Sequence, residues 1–415
     1  MRICKRKLLS LSLAAALLCT CIPAAVTAET ATDLAPATSA DTLSLPSYYE
    51  YQKSVTAAQA TAPILLNADS AAISAENAQK LTYLDKAAIR LASGGYAEWA
   101  VTVPADATYA VMPQYAAEQG IGQTLELMLT VDGAYPFREA AGLELKRLWK
   151  DATAIQQDSK GNDLVPEQVE VSAWQTAPLN DTTGYTNNNY QIVLTAGTHV
   201  IRLTAGDYPL YLAEVTLGVT QQPDSYANVL AGWQAEGLTP ADAEVYLKYA
   251  AETTALKSDR TIYPAYDLGN AATETANAEP NTPGLTKRNV IGGTNWKAAG
   301  EWIEYEGDAP ADGLYCLTFK YRQNISMDMT VYRDIYINGE IPYAELKNVG
   351  FPFAFRWNNV TLQNADGTPY NPLINAGALV ISSYLVQMYT FEELLEGSDA
   401  QKKLLASIDV LIDGP

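Results

Sequence analysis

Between Leu125 and Val131 the chain alternates: Leu125, Leu127, Leu129 and Val131 are separated by Glu126, Met128 and Thr130. A period of two is that of a strand with one buried face. The pattern returns through Val331, Arg333, Ile335 and Ile337, and in Tyr315, Leu317, Phe319 and Tyr321 before it. Asp132-Gly133 and Asn338-Gly339 follow the two matching strands and supply the positive φ angles that tight hairpins need. The sequence therefore predicts many short strands joined by turns, the signature of a β-sandwich.

These patterns belong to an internal repeat. Pro104-Ala105-Asp106 with Tyr109 recurs as Pro310-Ala311-Asp312 with Tyr315, and Val131-Asp132-Gly133 recurs at the same offset as Ile337-Asn338-Gly339. Upstream, Glu98-Trp99 is matched to Glu301-Trp302 across a small gap. Downstream, Trp174, Leu179, Gly184-Tyr185 and Gly197 parallel Trp357, Leu362, Gly367, Tyr370 and Gly377. The expected fold is mainly β: two jelly-roll β-sandwich domains joined by a helical segment, with a helical C-terminal tail. The boundaries read as a signal peptide over 1–28, a flexible lead-in over 29–60, a first module over 61–220, a helical connector over 221–259, a second module over 260–389 and a helical tail over 390–415. That tail is either packed on the second sandwich or the start of a further domain.

Helical signals are confined to the connector and the tail. Ala241–Leu256 is rich in Ala, Glu, Leu and Lys and begins after Thr239-Pro240, an N-cap followed by Pro at the first helical position. In the tail, Thr390 with Glu393 and Ser398 with Gln401 are capping-box spacings, and Leu404, Leu405, Ile408 and Leu411 share a face.

Composition narrows the chemistry. The 415 residues hold 27 Lys and Arg against 47 Asp and Glu, a formal net charge of −20. That balance argues against nucleic acid as a partner, since phosphate backbones are gripped by clustered basic residues. A single histidine, His199, excludes HExxH and multi-His metal sites, and its place in line with Ile201 and Leu203 marks it as structural. Met1–Ala28 has the parts of a secretory signal: Arg2, Lys5, Arg6 and Lys7, then the apolar run Leu8–Leu18, then Val26-Thr27-Ala28. Lipoprotein processing at Cys21 is the weaker alternative, because Thr20 replaces the usual small residue. No segment is long enough for a transmembrane span. Cys316, alone outside the signal, leaves the cleaved chain no internal disulfide and lies in register with Thr318 and Lys320, away from the core.

The stretch Asn289-Val290-Ile291-Gly292-Gly293-Thr294-Asn295-Trp296, then Gly300-Glu301-Trp302-Ile303-Glu304-Tyr305 and Pro310-Ala311-Asp312-Gly313-Leu314-Tyr315, resembles family-six-like carbohydrate-binding modules of the galactose-binding-like type. Ala196-Gly197-Thr198-His199 matches their late strand, decaying to Ala376-Gly377-Ala378-Leu379 in the second copy. The tandem arrangement resembles the N-terminal half of large Firmicute extracellular solute-binding proteins of sugar ABC transporters. The resemblance implies a non-catalytic extracellular carbohydrate-binding protein whose partner is an oligosaccharide or polysaccharide. It also implies ABC permease subunits as partners, through a C-terminal domain missing from these residues. Related modules often hold a structural Ca²⁺ near the first strand; here Ile64–Asp69 offers one Asp and one Asn, which leaves the metal open.

Sugar rings present an apolar face to Trp or Tyr and hydroxyls to amides and carboxylates. Candidate ligand-binding residues are accordingly Trp296, in the loop before the Trp302 strand; Trp357 with Asn358, opening a later strand, and Tyr370; and in the first copy Tyr96, Trp174, Tyr185 and Tyr190. Trp99 and Trp302 lie inside strands and read as core. Trp174 and Trp357 recur in both copies, which fits shared packing as well as shared ligand contact. Two further functions stay open: a glycoside hydrolase or esterase, with Glu301 and Glu304 as the acids near the aromatic loop, and a purely structural spacer.

Overall fold

The computed structural model describes residues 42–182, 189–219, 222–241, 247–267, 284–324, 329–364 and 366–387. The signal segment, Tyr185 and the C-terminal tail lie outside the described residues. In the first half the strands are β1 (Ile64–Asn67), β2 (Ala72–Ile73), β3 (Ala78–Tyr83), β4 (Lys86–Leu91), β5 (Tyr96–Val103), β6 (Ala107–Ala117), β7 (Leu125–Val131), β8 (Leu143–Leu145), β9 (Leu148–Asp151), β10 (Gln168–Val171), β11 (Gln175–Thr176), β12 (Gln191–Leu194), β13 (Gly197–Ala205) and β14 (Leu210–Gly218). The second half adds β15 (Leu256–Lys257), β16 (Pro264–Ala265), β17 (Val290–Ile291), β18 (Trp302–Ala309), β19 (Gly313–Leu314), β20 (Thr318–Gln323), β21 (Thr330–Ile337), β22 (Val349–Pro352), β23 (Ala354–Thr361), β24 (Leu373–Ile374) and β25 (Gly377–Gln387). The protein is mainly β, with its sheets in a sandwich-like arrangement.

In the first copy the sheet β2-β5-β13-β7-β8 faces the sheet β11-β6-β14-β4-β3. Alternate residues of both close one core, including Trp99, Leu125, Leu127, Leu129, Ile201, Leu203, Leu212 and Val215. The predicted hairpin turns are present: Asp132 and Gly133 have φ of 52° and 81°, and Asn338 and Gly339 have 51° and 83°.

The registers revise the repeat. Trp99 pairs Ile201, which pairs Val131; in the second copy Tyr305 pairs Ile381, which pairs Ile337. Trp99 therefore corresponds to Tyr305, Glu98 to Glu304 and Tyr96 to Trp302, at the offset already set by the hairpin and with no gap. The apparent Glu-Trp match reflected two similar dipeptides in different rows.

The copies also begin earlier than expected. A helix, α1 (Tyr48–Ser54), starts from a Ser47 capping box, and α2 (Tyr226–Ala235) starts from a Ser225 cap. The Tyr48 ring lies 4.9 Å from Phe137 and 4.5 Å from Tyr190, and Tyr226 lies 4.9 Å from Tyr343 and 5.1 Å from Tyr370. The Tyr48 backbone N–H donates to Glu139 Oε2 at 2.7 Å, as that of Tyr226 does to Glu345 Oε2 at 2.8 Å. Residues 42–60 are thus no slack lead-in where they are described, since Tyr48 is buried in the core. The connector helix sits at Tyr226–Ala235, upstream of the predicted segment. Of Ala241–Leu256, residues 242–246 lie outside the described residues, Leu247–Ala250 is not helical, and Leu256–Lys257 is strand. Helix propensity is a weak preference that sheet pairing overrides.

That short strand ties the copies together. The order β10-β9-β15-β18-β25-β21-β22 makes one sheet, in which the first copy's β9–β10 hairpin extends the second copy's sheet through β15. Lys257, fully buried, donates from Nζ to Asp151 Oδ1 and Gln168 Oε1, both at 2.5 Å. Burial lowers the Lys257 pKa, and the Asp151 carboxylate opposes that shift.

Candidate functional site

The seven ligand-contact candidates among the described residues do not converge on one rim. Tyr190 is 5% exposed and belongs to the Tyr48–Phe137 ring cluster, so it presents no face to a ligand. Tyr370 holds the equivalent place beside Tyr226. Each place needs a ring to seat its helix, and Tyr190, not the Tyr185 that the sequence aligned, fills it in the first copy; desolvation by burial raises both phenolic pKa values.

Trp296 lies in the predicted loop, half-buried, but its ring is occupied. The Arg333 guanidinium stands 3.5 Å over it, and a Cβ on Gly292, which has φ of 92°, would meet its atoms at 3.2 and 3.3 Å. Its Nε1 donates to Glu301 O at 3.2 Å. Burial lowers the Arg333 pKa to about 9, partly offset by Tyr305 and Glu301. The loop thus closes over an arginine instead of holding a ring out to solvent.

Trp357 is half-buried in the middle of β23, not at its start. Asn358 pairs Tyr321, whose ring packs inward, so Asn358 has the opposite parity to Trp357 and the two share no surface. The amide on the tryptophan's side is Asn359. Tyr96 lies on the outer face of β5, where Arg202 caps its ring at 4.1 Å and also pairs Glu98 at 2.8 Å.

Trp174 lies in a cluster of rings and polar groups drawn from several strands. It precedes β11, at one end of its sheet, yet its Nε1 donates to Leu84 O at 3.3 Å, in the turn between β3 and β4 at the other end. The β3–β4 tip therefore curls across the outer face of the sheet. Leu84 and Asp85 hold φ of 44° and 61°, a conformation that a bulky residue such as leucine rarely adopts. Tyr83 stacks on Tyr211 at 3.6 Å and 5° and meets Trp174 edge-on at 5.9 Å. The Tyr83 hydroxyl lies 3.1 Å from Ser172 Oγ, and Arg90 pairs Glu118 at 2.7 Å nearby.

Beside the start of β4, where the chain leaves the tip, is a cavity of about 300 Å³ lined by Asn67, Asp69, Ser70, Lys86, Gln114 and Glu214, among others. Lys86 Nζ donates to Gln114 Oε1 at 2.7 Å, and Gln114 Nε2 donates to Thr176 Oγ1 at 3.2 Å, linking the cavity to the strand after Trp174. Its volume is at the lower end of small-molecule pockets, and amide, ammonium, hydroxyl and carboxylate groups meet there beside half-exposed rings. Sequence reasoning missed Tyr83, Tyr211, Lys86 and Gln114. Leu84-Asp85 carries no turn signal, and their neighbourhood depends on a hairpin folding back.

The calcium expectation touches the same wall. Lys80 Nζ donates to Asp69 O at 2.7 Å, and Asn67 O accepts from Trp99 Nε1 at 2.8 Å and Ser70 Oγ at 2.9 Å. Among the described residues no three acidic, His or Cys side chains converge on a metal position.

Glu301 and Glu304 do not form an acid pair. Glu301 Oε2 accepts the N–H groups of Lys297 and Ala298, both at 2.8 Å, whereas Glu304 accepts Ser382 Oγ at 3.0 Å. Glu301 aligns with Leu385 and Glu304 with Ser382, which have opposite parity on β25, so the two carboxylates lie on opposite faces of one sheet. Two acids flanking one glycosidic bond need a shared cleft.

His199 serves the hairpin. Its Nδ1 lies 2.7 Å from Asp132 Oδ2 and its Nε2 2.9 Å from Thr195 O. The hydrogen bond to Asp132 raises its pKa, with Thr195 adding to the shift. A raised folded-state pKa stabilises fully below the unfolded value of about 6.5 and is lost as pH rises through the folded value. Melting temperature should therefore fall from pH 6 to 8, and His199→Leu, the residue that the second copy has as Leu379, should flatten that decline by roughly 1–3 °C, read by scanning fluorimetry.

No family model and no curated protein matches the chain. Similar solved structures include a family 35 carbohydrate-binding module from Clostridium thermocellum, 19% identical, covering 38% of this chain and 97% of that module with a TM-score of 0.23. Another is the CBM35 of Cellvibrio japonicus Abf62, 13% identical, covering 38% of this chain and 95% of that one, TM-score 0.23. The Podospora anserina GH26-CBM35 β-(1,4)-mannanase is 10% identical and covers 43% of this chain with a TM-score of 0.24; the match spans 35% of the mannanase. Among the described residues no helix is long and apolar enough to cross a membrane.

Proposed function

We propose that the protein is a non-catalytic extracellular carbohydrate-binding protein, and that the groove beside the β3–β4 tip is its binding site. The observation that carries this reading is the joining of a polar cavity to the Trp174–Tyr83–Tyr211 rings through Lys86, Gln114 and Thr176. Ring faces suit the apolar side of a saccharide, and the amide, ammonium and carboxylate suit its hydroxyls. The secretory-type N-terminus supports an extracellular location. The resemblance to the front half of solute-binding proteins supports a place in sugar capture ahead of an ABC importer, with permease subunits as its partners.

A glycan array followed by calorimetry tests the reading. Micromolar-to-millimolar binding to a neutral oligosaccharide is expected, weakened about fivefold or more in Gln114→Ala, which removes an amide from the cavity wall. Silence across the array favours the spacer, and glycan binding unaltered in Gln114→Ala moves the site away from the groove. Release of chromogen from aryl glycosides would favour the hydrolase.

A further inference from the structure

The outer face of the second copy's β20–β23 ribbon matches the Trp174 face of the first copy, with different chemistry. Gln114 pairs Thr176 and Lys320 pairs Asn359, and Trp174 and Trp357 each lie two residues before those partners. In that frame Lys320 stands where the first copy has Gln114, and Arg322 where it has Ala116. The Trp357 ring has Lys320 Nζ 5.9 Å from its centre and the Arg322 guanidinium 5.4 Å away. Arg322 is paired with Asp267. Phe355, two residues before Trp357 on β23, is 73% exposed, and Asn359 and Thr318 are exposed further along the ribbon. The Thr318 and Thr361 hydroxyls lie 2.9 Å apart at the ribbon's far end.

The geometry points to this ribbon as a second saccharide site, selective for a glycan bearing anionic groups, carboxylate or phosphate. Two cations flank the ring in a chain whose net charge of −20 repels anions at long range. An anionic polymer is held here only by contacts that outweigh that repulsion locally; Lys320 supplies the first, and Arg322, which already has Asp267 on one side, adds to it. Phe355 and Trp357 offer apolar surface to sugar C–H groups, while Asn359 and the threonines meet hydroxyls; a polymer recognised by charge alone uses none of these. The site stands apart from the groove of the first copy, whose equivalent strand positions are uncharged, so the two copies sort saccharides by charge.

Affinity electrophoresis of the exported chain in native gels tests this, with polygalacturonate for the carboxylate arm, poly(glycerol phosphate) for the phosphate arm, a neutral β-glucan and duplex DNA. Retardation by an anionic saccharide polymer is expected, and the arm that responds identifies the group. Lys320→Gln, which installs the first copy's residue at an exposed position, should weaken it about fivefold or more. Trp357→Ala should weaken it similarly, and Trp174→Ala should leave it unchanged. No retardation by either anionic polymer, an unaltered Lys320→Gln, or equal retardation by DNA overturns the assignment. Neutral-glycan binding lost in Trp174→Ala reports on the groove alone, so failure of one site is told apart from failure of the other.

Discussion

Trp174→Ala should lower affinity for the neutral glycan at least tenfold, whereas Trp296→Ala should leave it within about twofold. Both tryptophans were equal candidates by residue type, and their surroundings separate them. The Trp174 ring stands beside Tyr83 and Tyr211 on an open sheet face, next to a polar cavity. The Trp296 ring has Arg333 at 3.5 Å, and the Gly292 backbone crowds it. Removing Trp296 also uncovers a guanidinium whose Nη1 is buried without a hydrogen-bond partner, so its cost should appear in stability. Calorimetry on both variants, paired with melting curves, checks the division. A Trp296→Ala protein that melts normally but loses the glycan would return the site to the loop. Since Trp174 also anchors Leu84 O, Trp174→Phe provides the control: the ring remains, and affinity should recover in part.

Tyr48→Ala should destabilise the folded chain by about 3–5 kcal/mol, the range for removing a buried aromatic ring. The residue closes the Phe137–Tyr190 cluster, and its hydroxyl donates to Asn189 O at 3.1 Å and accepts the Gln191 N–H at 3.0 Å. Deletion therefore opens a cavity and strands a backbone donor at once. Tyr190→Ala should fall in the same range without changing glycan affinity in the protein that remains folded. Chemical denaturation followed by near-ultraviolet circular dichroism measures both. A Tyr48→Ala chain within about 1 kcal/mol of the parent would show that residues 42–60 are dispensable to the fold.

The two results bear on how a repeat should be read. Trp174 and Trp357 recur on an outer sheet face with different neighbours, whereas against the helix it is Tyr190, not the aligned Tyr185, that takes the place of Tyr370. Recurrence marked Tyr370 and the two tryptophans alike. Their neighbours divide them: Tyr190 and Tyr370 pack edge-on against Tyr48 and Tyr226, whereas Trp174 and Trp357 are half-buried on outer sheet faces.

The local pattern of the chain determined the strands, the hairpin turns and the duplication. Period-two alternation and Asp-Gly or Asn-Gly dipeptides act over a few residues, and each copy repeats them at a constant offset. It also determined the charge balance and the scarcity of histidine, which are properties of composition. Tertiary structure alone decided the rest. Lys257 is drawn into a sheet shared by both copies despite helix-forming neighbours, because edge pairing and the Asp151–Gln168 partners come from residues far away in sequence. The site assembles only when the Leu84-Asp85 tip folds over the sheet and brings Tyr83 to Tyr211 and Lys86 to Gln114. Such contacts join strands distant along the chain, and no window of neighbouring residues contains both partners.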